Sequence, residues 1–445
     1  MADLLNIGAT ALHSYRAAMA AVGENVANAQ TPGFSRRTVS LAEVGTGLNG
    51  ARNASASVQF NGVRVDSIQR NWQSRLAGDV WESGGALNAA TARHQWLSAV
   101  ETRLSNDHAQ IGTALSGVFD GADRLAANPG DAALRSEWLS SLDNMGLAFR
   151  RAGTELGEVH RSIGEALAYS VEQANAAITQ LHRINAALKA TEAGSAMRAS
   201  LEDARDVQIT TLTGQLGVDM TFGAKGDVNI RHGNATLLDG DGPHPLRLIT
   251  GDDGSRSIAA INAADLVPIT PTSGAIAGHL SATTTLNGQQ DQLDALARDT
   301  KAYFNGWSTG GVDRSGNPGT AIFSGTDAAS LTLTLSSPDG LALSRVGQPS
   351  NANLLALSSQ RSVWALEQRW SDLSVTAAQH SAHADQAVQA SDNRHQSNSA
   401  AMNAVTGVDL DTEAAELLRL QLAYNAAARV VRVAQETISE VIRTL

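Results

Sequence analysis

The chain has 445 residues, a formal net charge of −11, 4% aromatic residues, 40 glycines and no cysteine. That length suffices for two or three domains with cores of their own. An acidic balance without a basic stripe excludes phosphate-driven nucleic-acid binding, and the missing thiols exclude disulfides, thiolate nucleophiles and cysteine-ligated metals.

The first segment, LLNIGATALHSYRAAMAAVGE, places Leu5, Leu12, Tyr15, Met19, Val22 and Val26 at alternating spacings of three and four, with Gly8 in the same series. This predicts a helix with one narrow apolar face, suited to pairing with a second helix. Thr31-Pro32-Gly33 should end it in a type II turn, since proline disfavours helix at the residue before it and glycine accepts positive φ. Gly8 and Gly23 each cost about 1 kcal/mol relative to alanine, so the helix is marginal alone. Asn25 and Asn28 read as ordinary C-terminal caps. The N-terminus lacks the charged, apolar and cleavage regions of a secretory signal, and no apolar run is long enough to span a membrane.

Residues 38–70 alternate, as in SVQFNGVRVDSI, and predict an extended or hairpin-like connector. GTGLNG at 45–50 matches a dinucleotide-binding pattern with Asp66 at the distance of the ribose acid. A strand-like stretch follows it where a helix N-terminus is needed, so a glycine turn is expected. Helical spacing begins near Trp72 and includes Leu97, Val100 and Leu104. Asn128-Pro129-Gly130 breaks the run, Leu134, Trp138, Leu142 and Met145 restart it, and a long helix carries Leu156 through Leu188. A shorter helix covers Leu201 to about Leu216.

After Gly217 the period becomes two. VDMTF, DVNIR, ATLL and LRLIT predict short strands, split by GAKG, DGDGPHP and GDDG. The acidic turns resemble calcium-loop fragments but never reach a closing glutamate, so they read as hairpin turns. Leu293, Leu296, Thr300, Tyr303 and Trp307 mark a return helix, followed by a glycine-rich loop and a hairpin, SLTLTLSSPDGLALSRV. A polar helical block spans 351–405. Its His380 and His383 share a face near Asp385 but lack the glutamate of a zinc motif, so solvated helix surface is expected.

Residues 409–445 predict a final helix N-capped by Asp411, with the stripe Ala414, Leu417, Gln421, Tyr424, Ala428, Val431, Gln435, Ile438, Ile442 and Leu445. Beside the two terminal stripes lie Leu4, Ile7, Ala11, Ala18 and Ala21, and Leu420, Ala427, Ala434 and Val441. Apolar surface wider than one seam points to neighbours. No spacing singles out a catalytic, cofactor or metal site, so a non-enzymatic protein is expected. The expected class is mainly α with a β-rich insert, the first and last helices lying together.

NVANAQTPGFSRR and the ending GVDLDTEAAELLRLQLAYNAAARVVRVAQETISEVIRTL resemble the terminal signatures of flagellar axial proteins of rod, hook and hook-associated type. SRR after the PGF turn, the long helical block before the first strands, and TTLTGQLGVDMTFGAKGDVNIRHG narrow the resemblance to the hook-associated protein 1 (FlgK) family. The resemblance implies a nested multidomain architecture: an inner terminal coiled-coil domain (1–40 and 406–445), a helical bundle domain (41–217, 274–307 and 351–405) and a small outer β domain (218–273 and 308–350). It implies a hook–filament junction subunit for motility, extracellular on the bacterial flagellum and secreted by type III export without a cleaved signal. Implied partners are further copies in a ring, hook protein, hook-associated protein 3, and an export chaperone on the C-terminal helix; no cofactor, nucleic acid or membrane insertion is implied. A hook or distal-rod protein is the alternative within the same axial class. The implied polymer interface comprises Leu5, Leu12, Tyr15, Met19, Val22, Asn25, Val26, Asn28, Leu417, Gln421, Tyr424, Val431, Ile438 and Ile442, with Thr31, Pro32 and Gly33 as the helix-ending turn.

Overall fold

Helices account for most of the chain in a computed structural model that describes residues 2–44, 62–251, 255–262 and 265–444. In order they are α1 (Ala2–Ala27), α2 (Ser74–Leu104), α3 (Asn106–Ala109), α4 (Ile111–Ala127), α5 (Ala132–Ala190), α6 (Ala196–Gln215), α7 (Ala275–Thr309), α8 (Ala352–Trp364), α9 (Leu366–Thr406) and α10 (Leu410–Thr444). A ribbon of β1 (Arg37–Glu43) and β2 (Val63–Arg70) follows α1. Strands β3 (Asp219–Phe222), β4 (Val228–His232) and β5 (Ala235–Leu238) form one antiparallel sheet. A second is made of β6 (Leu246–Thr250), β7 (Arg256–Asn262) and β8 (Asp265–Ile269), and a minimal pair of β9 (Phe323–Ser324) and β10 (Thr332–Leu333). The chain divides into two units. The first holds Met1–Gly85, Glu172–Thr270 and Asp392–Leu445; the second holds Ala86–Val171 and Pro271–Ser391.

The second unit contains the large core. Trp138, Phe119, Phe149, Met145 and Leu142 from α4 and α5 pack with Phe304, Tyr303 and Trp307 of α7 and with Trp370 of α9. Trp138 meets Trp307 edge to face at 5.1 Å and donates its indole N–H to the Val118 carbonyl at 2.8 Å. Aromatic pairs of this geometry add to their area burial. His279 of α7 is buried, and its Nδ1 accepts the Trp96 indole N–H at 2.8 Å. Burial pushes its pKa from 6.5 down to about 4. A folded-state pKa below the unfolded value gives stability that is complete above about pH 6.5 and lost as pH falls toward 4, in total about 3 kcal/mol. Tryptophan-monitored melting should therefore drop across that window, and His279→Gln should flatten the dependence.

In the first unit, asparagines on helices stand in for missing strand partners. Asn185 of α5 accepts the Val228 N–H at 2.9 Å and donates to the Val228 carbonyl at 2.8 Å. Asn175 does the same for Leu246, at 2.7 and 2.9 Å. One carboxamide has both a donor and an acceptor, so it pairs both polar groups of a backbone residue as a neighbouring strand does. The device recurs in the second unit, where Asn305 of α7 takes the Phe323 N–H at 2.8 Å and gives to its carbonyl at 2.9 Å.

Several expectations change. The run SLTLTLSSPDGLALSRV is not a hairpin: Thr332–Leu333 pairs back to Phe323–Ser324, and a 3-10 turn occupies Pro338–Gly340. Ile322, Phe323, Leu331, Leu341 and Leu343 are buried in the second unit's helical core, so 308–350 falls in a different unit from strands β3 to β8. The two helices read around Met145 and Leu156 are one helix of 59 residues, whose stripe Leu156, Val159, Ile163, Leu167, Val171, Ala174, Ile178, Leu181 and Leu188 is buried throughout. The block 351–405 is broken at Ala365, a left-handed residue with φ 46° that no glycine or proline announces.

Candidate functional site: the terminal helix pair and its polar clasp

Helices α1 and α10 lie antiparallel in the first unit, with Asn25 at Glu413 and Gly8 at Val431. A Cβ on Gly8 would stand 2.5 Å from Val431 Cγ2, so only glycine admits this approach. Ala18, Val22 and Leu420 are the buried centre of the seam, flanked by half-buried Tyr15, Met19, Leu417 and Val39 of β1. A flank of α1 beside the seam is covered by the ribbon: Ser14 donates to the Val63 carbonyl at 3.1 Å, and Gly62 backs onto Ile7 and Thr10.

A polar clasp closes one end of the pair. Asn25, fully buried, accepts the Arg37 N–H at 2.8 Å and donates to the Arg37 carbonyl at 2.9 Å, which fixes the start of β1. The same amide nitrogen lies 3.0 Å from Glu413, which has no exposed surface and takes Arg36 Nε at 2.6 Å. The Arg36 backbone N–H in turn reaches the Thr406 carbonyl at 2.9 Å. Arg37 continues the network to Glu24, to Ser200 of α6 and to Asp203. Burial pushes the Asp203 carboxyl above its usual range, against the pull of Arg70 and Arg37. Burial also opposes the Arg70 charge, but Asp206, Glu202 and Asp203 outweigh it and hold that guanidinium above its ordinary pKa.

Gly33 lies at φ 80° and the Phe34 N–H donates to the Thr31 carbonyl at 3.2 Å. The helix stops at Ala27, ahead of that turn: the Asn28 N–H donates the last helical bond, to the Glu24 carbonyl at 3.0 Å, and the Asn28 side-chain amide donates to the same carbonyl at 3.0 Å. Asn28 is thus a cap, whereas Asn25 is an intrachain clamp. Gly33 then presses on α6: a Cβ there would sit 2.4 Å from Val207 Cγ2. At α10 the cap is Asp409, whose carboxylate takes the Asp411 and Thr412 N–H groups at 2.9 and 3.4 Å; Asp411 lies in the first turn instead.

The C-terminal stripe is rotated from its expected position. Leu420, Ala427 and Ala434, read as outward, are buried at heptad spacing, and Leu417, Tyr424, Val431 and Ile438 are half-buried beside them. Gln421 is exposed and Ile442 is 68% exposed, so neither belongs to the seam. Small residues face α1 because Gly8 and Ala18 bring the two backbones close. On α1, Leu5, Leu12, Tyr15 and Met19 are half-buried, Val22 is buried, Val26 is exposed, and Ala18 and Ala21 join the buried side. What α10 leaves uncovered is a second apolar set, including Leu418 at 62% and Leu422 at 72% exposure.

Among the described residues nothing comparable supports chemistry. A cleft of about 840 Å³ lies beside β2 and α6, but its Arg70, Arg198 and Arg205 are paired with Glu202, Asp203 and Asp206. Among the described residues no group of three histidines or carboxylates could hold a metal, and His380 faces Gln289 at 3.3 Å. The GTGLNG stretch lies outside the described residues, as does part of GDDG.

A model of the flagellar hook-associated protein FlgK helical domain matches residues 97–323, just over half of the chain. The chain belongs to the FlgK family. Flagellar hook-associated protein 1 of Salmonella typhimurium is 24% identical over 334 residues, covering 73% of this chain and 60% of that protein, so the chain spans about three fifths of its length. The same-named protein of Bacillus subtilis is 24% identical, covering 97% of this chain and 96% of its own. In fold, the chain is similar to the flagellar hook junction protein FlgK of Burkholderia pseudomallei, with a TM-score of 0.51 at 22% identity over 55% of this chain and 46% of that one. The FlgK match begins and ends within the second unit and runs through strands β3 to β8 between, the region where the sequence shows its long helical block and the return helix.

Proposed function

We propose that this chain is a non-enzymatic structural subunit of the bacterial flagellum that joins hook to filament. It reaches the hook tip by type III export and assembles there as a ring-like homo-oligomer, outside the cell. One observation carries the reading: in a FlgK-family chain, α1 and α10 are clasped to each other, yet α10 leaves Leu418 and Leu422 without a partner. Exposed bulky apolar residues gathered on one helix mark an interaction surface. The terminal helices act as a coiled-coil inner domain that gains order from neighbours, because a seam centred on Ala18, Val22 and Leu420 offsets little of the 1–2 kcal/mol or so that ordering each residue costs. Hook protein and hook-associated protein 3 are the proposed axial neighbours, and an export chaperone covers α10 beforehand. A hook or distal-rod role is disfavoured because the matched region is the helical domain of the hook-associated family.

Leu418→Asp with Leu422→Asp tests the reading. Each substitution introduces a charge at a site that must be buried on assembly, costing at least the 1.5–3 kcal/mol or so of a lost leucine. Cells carrying the double variant should lose filaments and motility, while the purified chain keeps the melting of its second unit. Normal filaments in those cells, or gold-labelled subunits found along the whole hook, would contradict the proposal.

A further inference from the structure

We propose that the second unit carries a docking site for an acidic peptide segment. A cleft lined by Arg135, Arg314 and Arg345 takes the carboxylates of the segment, and an aromatic groove that shares Arg345 takes a neighbouring apolar side chain. Every residue of the site lies within that unit, so it stands whether or not the hook–filament reading does. The cleft, about 450 Å³, is walled by the loops 311–319 and 341–350, which are tied together where the Val312 N–H meets the Ser344 carbonyl at 2.8 Å.

Arg135 is the side chain that calls for a ligand. It sits in the first turn of α5, where the helix dipole disfavours a cation, and only 7% of it is exposed. Its Nε donates to the Pro129 carbonyl at 2.7 Å, but its Nη1 is buried without a partner among the described residues. Burial and the Arg314 charge hold this guanidinium below its ordinary pKa, and Asp339 opposes them only in part. The carboxylates at the cleft are taken. Asp339 is engaged by Arg314 at 3.1 Å, while Asp313 accepts the Ser315 and Asn317 N–H groups, both at 2.8 Å, and the Asn317 side-chain amide at 3.1 Å. Arg345 is exposed and adds a second guanidinium with spare donors, its Nε alone being bound, to Asn353 Oδ1 at 3.1 Å. Carboxylates fit two such forks and supply the countercharge that buried Arg135 lacks.

Arg345 also lines a second groove, about 430 Å³, with Tyr303, Trp307 and Trp364. Tyr303 and Trp307 donate to the Leu357 and Asn353 carbonyls at 2.6 and 2.7 Å, so what they offer the groove is apolar ring. A small free anion would use the cleft and leave this groove empty. A segment with an acid beside a large apolar residue fills both.

The probe is the peptide N-acetyl-Leu-Glu-Glu amide, titrated calorimetrically into the full-length chain at low salt, beside its Leu-Gln-Gln counterpart and inorganic phosphate. The site predicts saturable binding of the acidic peptide that weakens as salt rises. The glutamine peptide and phosphate should each bind at least about tenfold more weakly, because neither offers both the charge and the apolar group. Arg135→Gln and Arg345→Gln should each weaken the acidic peptide by about tenfold or more. Arg345 is exposed, so its variant decides the question even where Arg135→Gln melts early. No saturable binding of the acidic peptide, or binding that both variants keep, overturns the site. Phosphate bound as tightly as the peptide and lost in the same variants overturns the segment as occupant in favour of a free anion. None of these outcomes bears on the hook–filament reading, whose own test is the loss of filaments.

Discussion

Glu413→Ala should raise the concentration needed for assembly about a hundred-fold while leaving the second unit's melting unchanged. Glu413 is fully buried and is the single acceptor on which Asn25 of α1 and Arg36, just before β1, converge, at 3.0 and 2.6 Å. Removing one member of a buried ion pair strands the other, at about 3–5 kcal/mol; Arg36 keeps some solvent, which favours the low end. About 3 kcal/mol in the ordered form is roughly two decades in an association equilibrium. Sedimentation across a dilution series reads this directly. Glu413→Gln keeps an acceptor for both donors and should recover part of the loss; an alanine variant assembling at the ordinary concentration would show that the clasp has no part in ordering the helices.

Trp138→Ala should act on the other unit. The side chain is fully buried, packs edge to face on Trp307 and caps the Val118 carbonyl. A Cβ on Gly121 would stand 3.0 Å from the indole, so the ring fills a fitted space that α4 cannot collapse into without moving. Large-to-alanine changes of this kind cost about 3–5 kcal/mol, and the exposed carbonyl adds to that. Urea unfolding followed by circular dichroism should show the second unit's midpoint falling sharply with an unchanged slope. A shift within error would mean that this core does not hold the unit together.

Periodicity made the long helices legible. The stripe from Leu156 to Leu188 and the pairing of the first and last helices follow from spacing, because a buried face repeats wherever the helix continues. Three kinds of feature escaped. The C-terminal seam was displaced because alanine is read weakly by any hydrophobic pattern: Ala427 and Ala434 are buried, whereas the larger Ile442 and Leu422 are not. Close backbone approach, set by Gly8 across the seam, decides which face turns inward. The asparagine clamps escaped for a different reason. A lone Asn in a helix looks like a surface or capping residue, and its strand partner is distant in sequence: Asn185 serves Val228, and Asn175 serves Leu246. The same holds for Asn25, which could be read as a cap or a contact for a neighbour but clamps Arg37 and Glu413 of its own chain. The break at Ala365 carries no local signal either, since alanine and the Leu366, Glu367 and Gln368 that follow it are good helix formers, and the Arg361–Glu367 pair at 2.6 Å straps the two helices across it.

Hydrogen exchange on the dilute chain and on assembled material tests most directly whether neighbours supply the order of the terminal helices. Residues 2–27 and 410–444 should exchange rapidly in the dilute chain and become protected on assembly, while the helices of the second unit, with their aromatic core, stay protected in both. Slow exchange at both termini in the dilute chain would contradict the account.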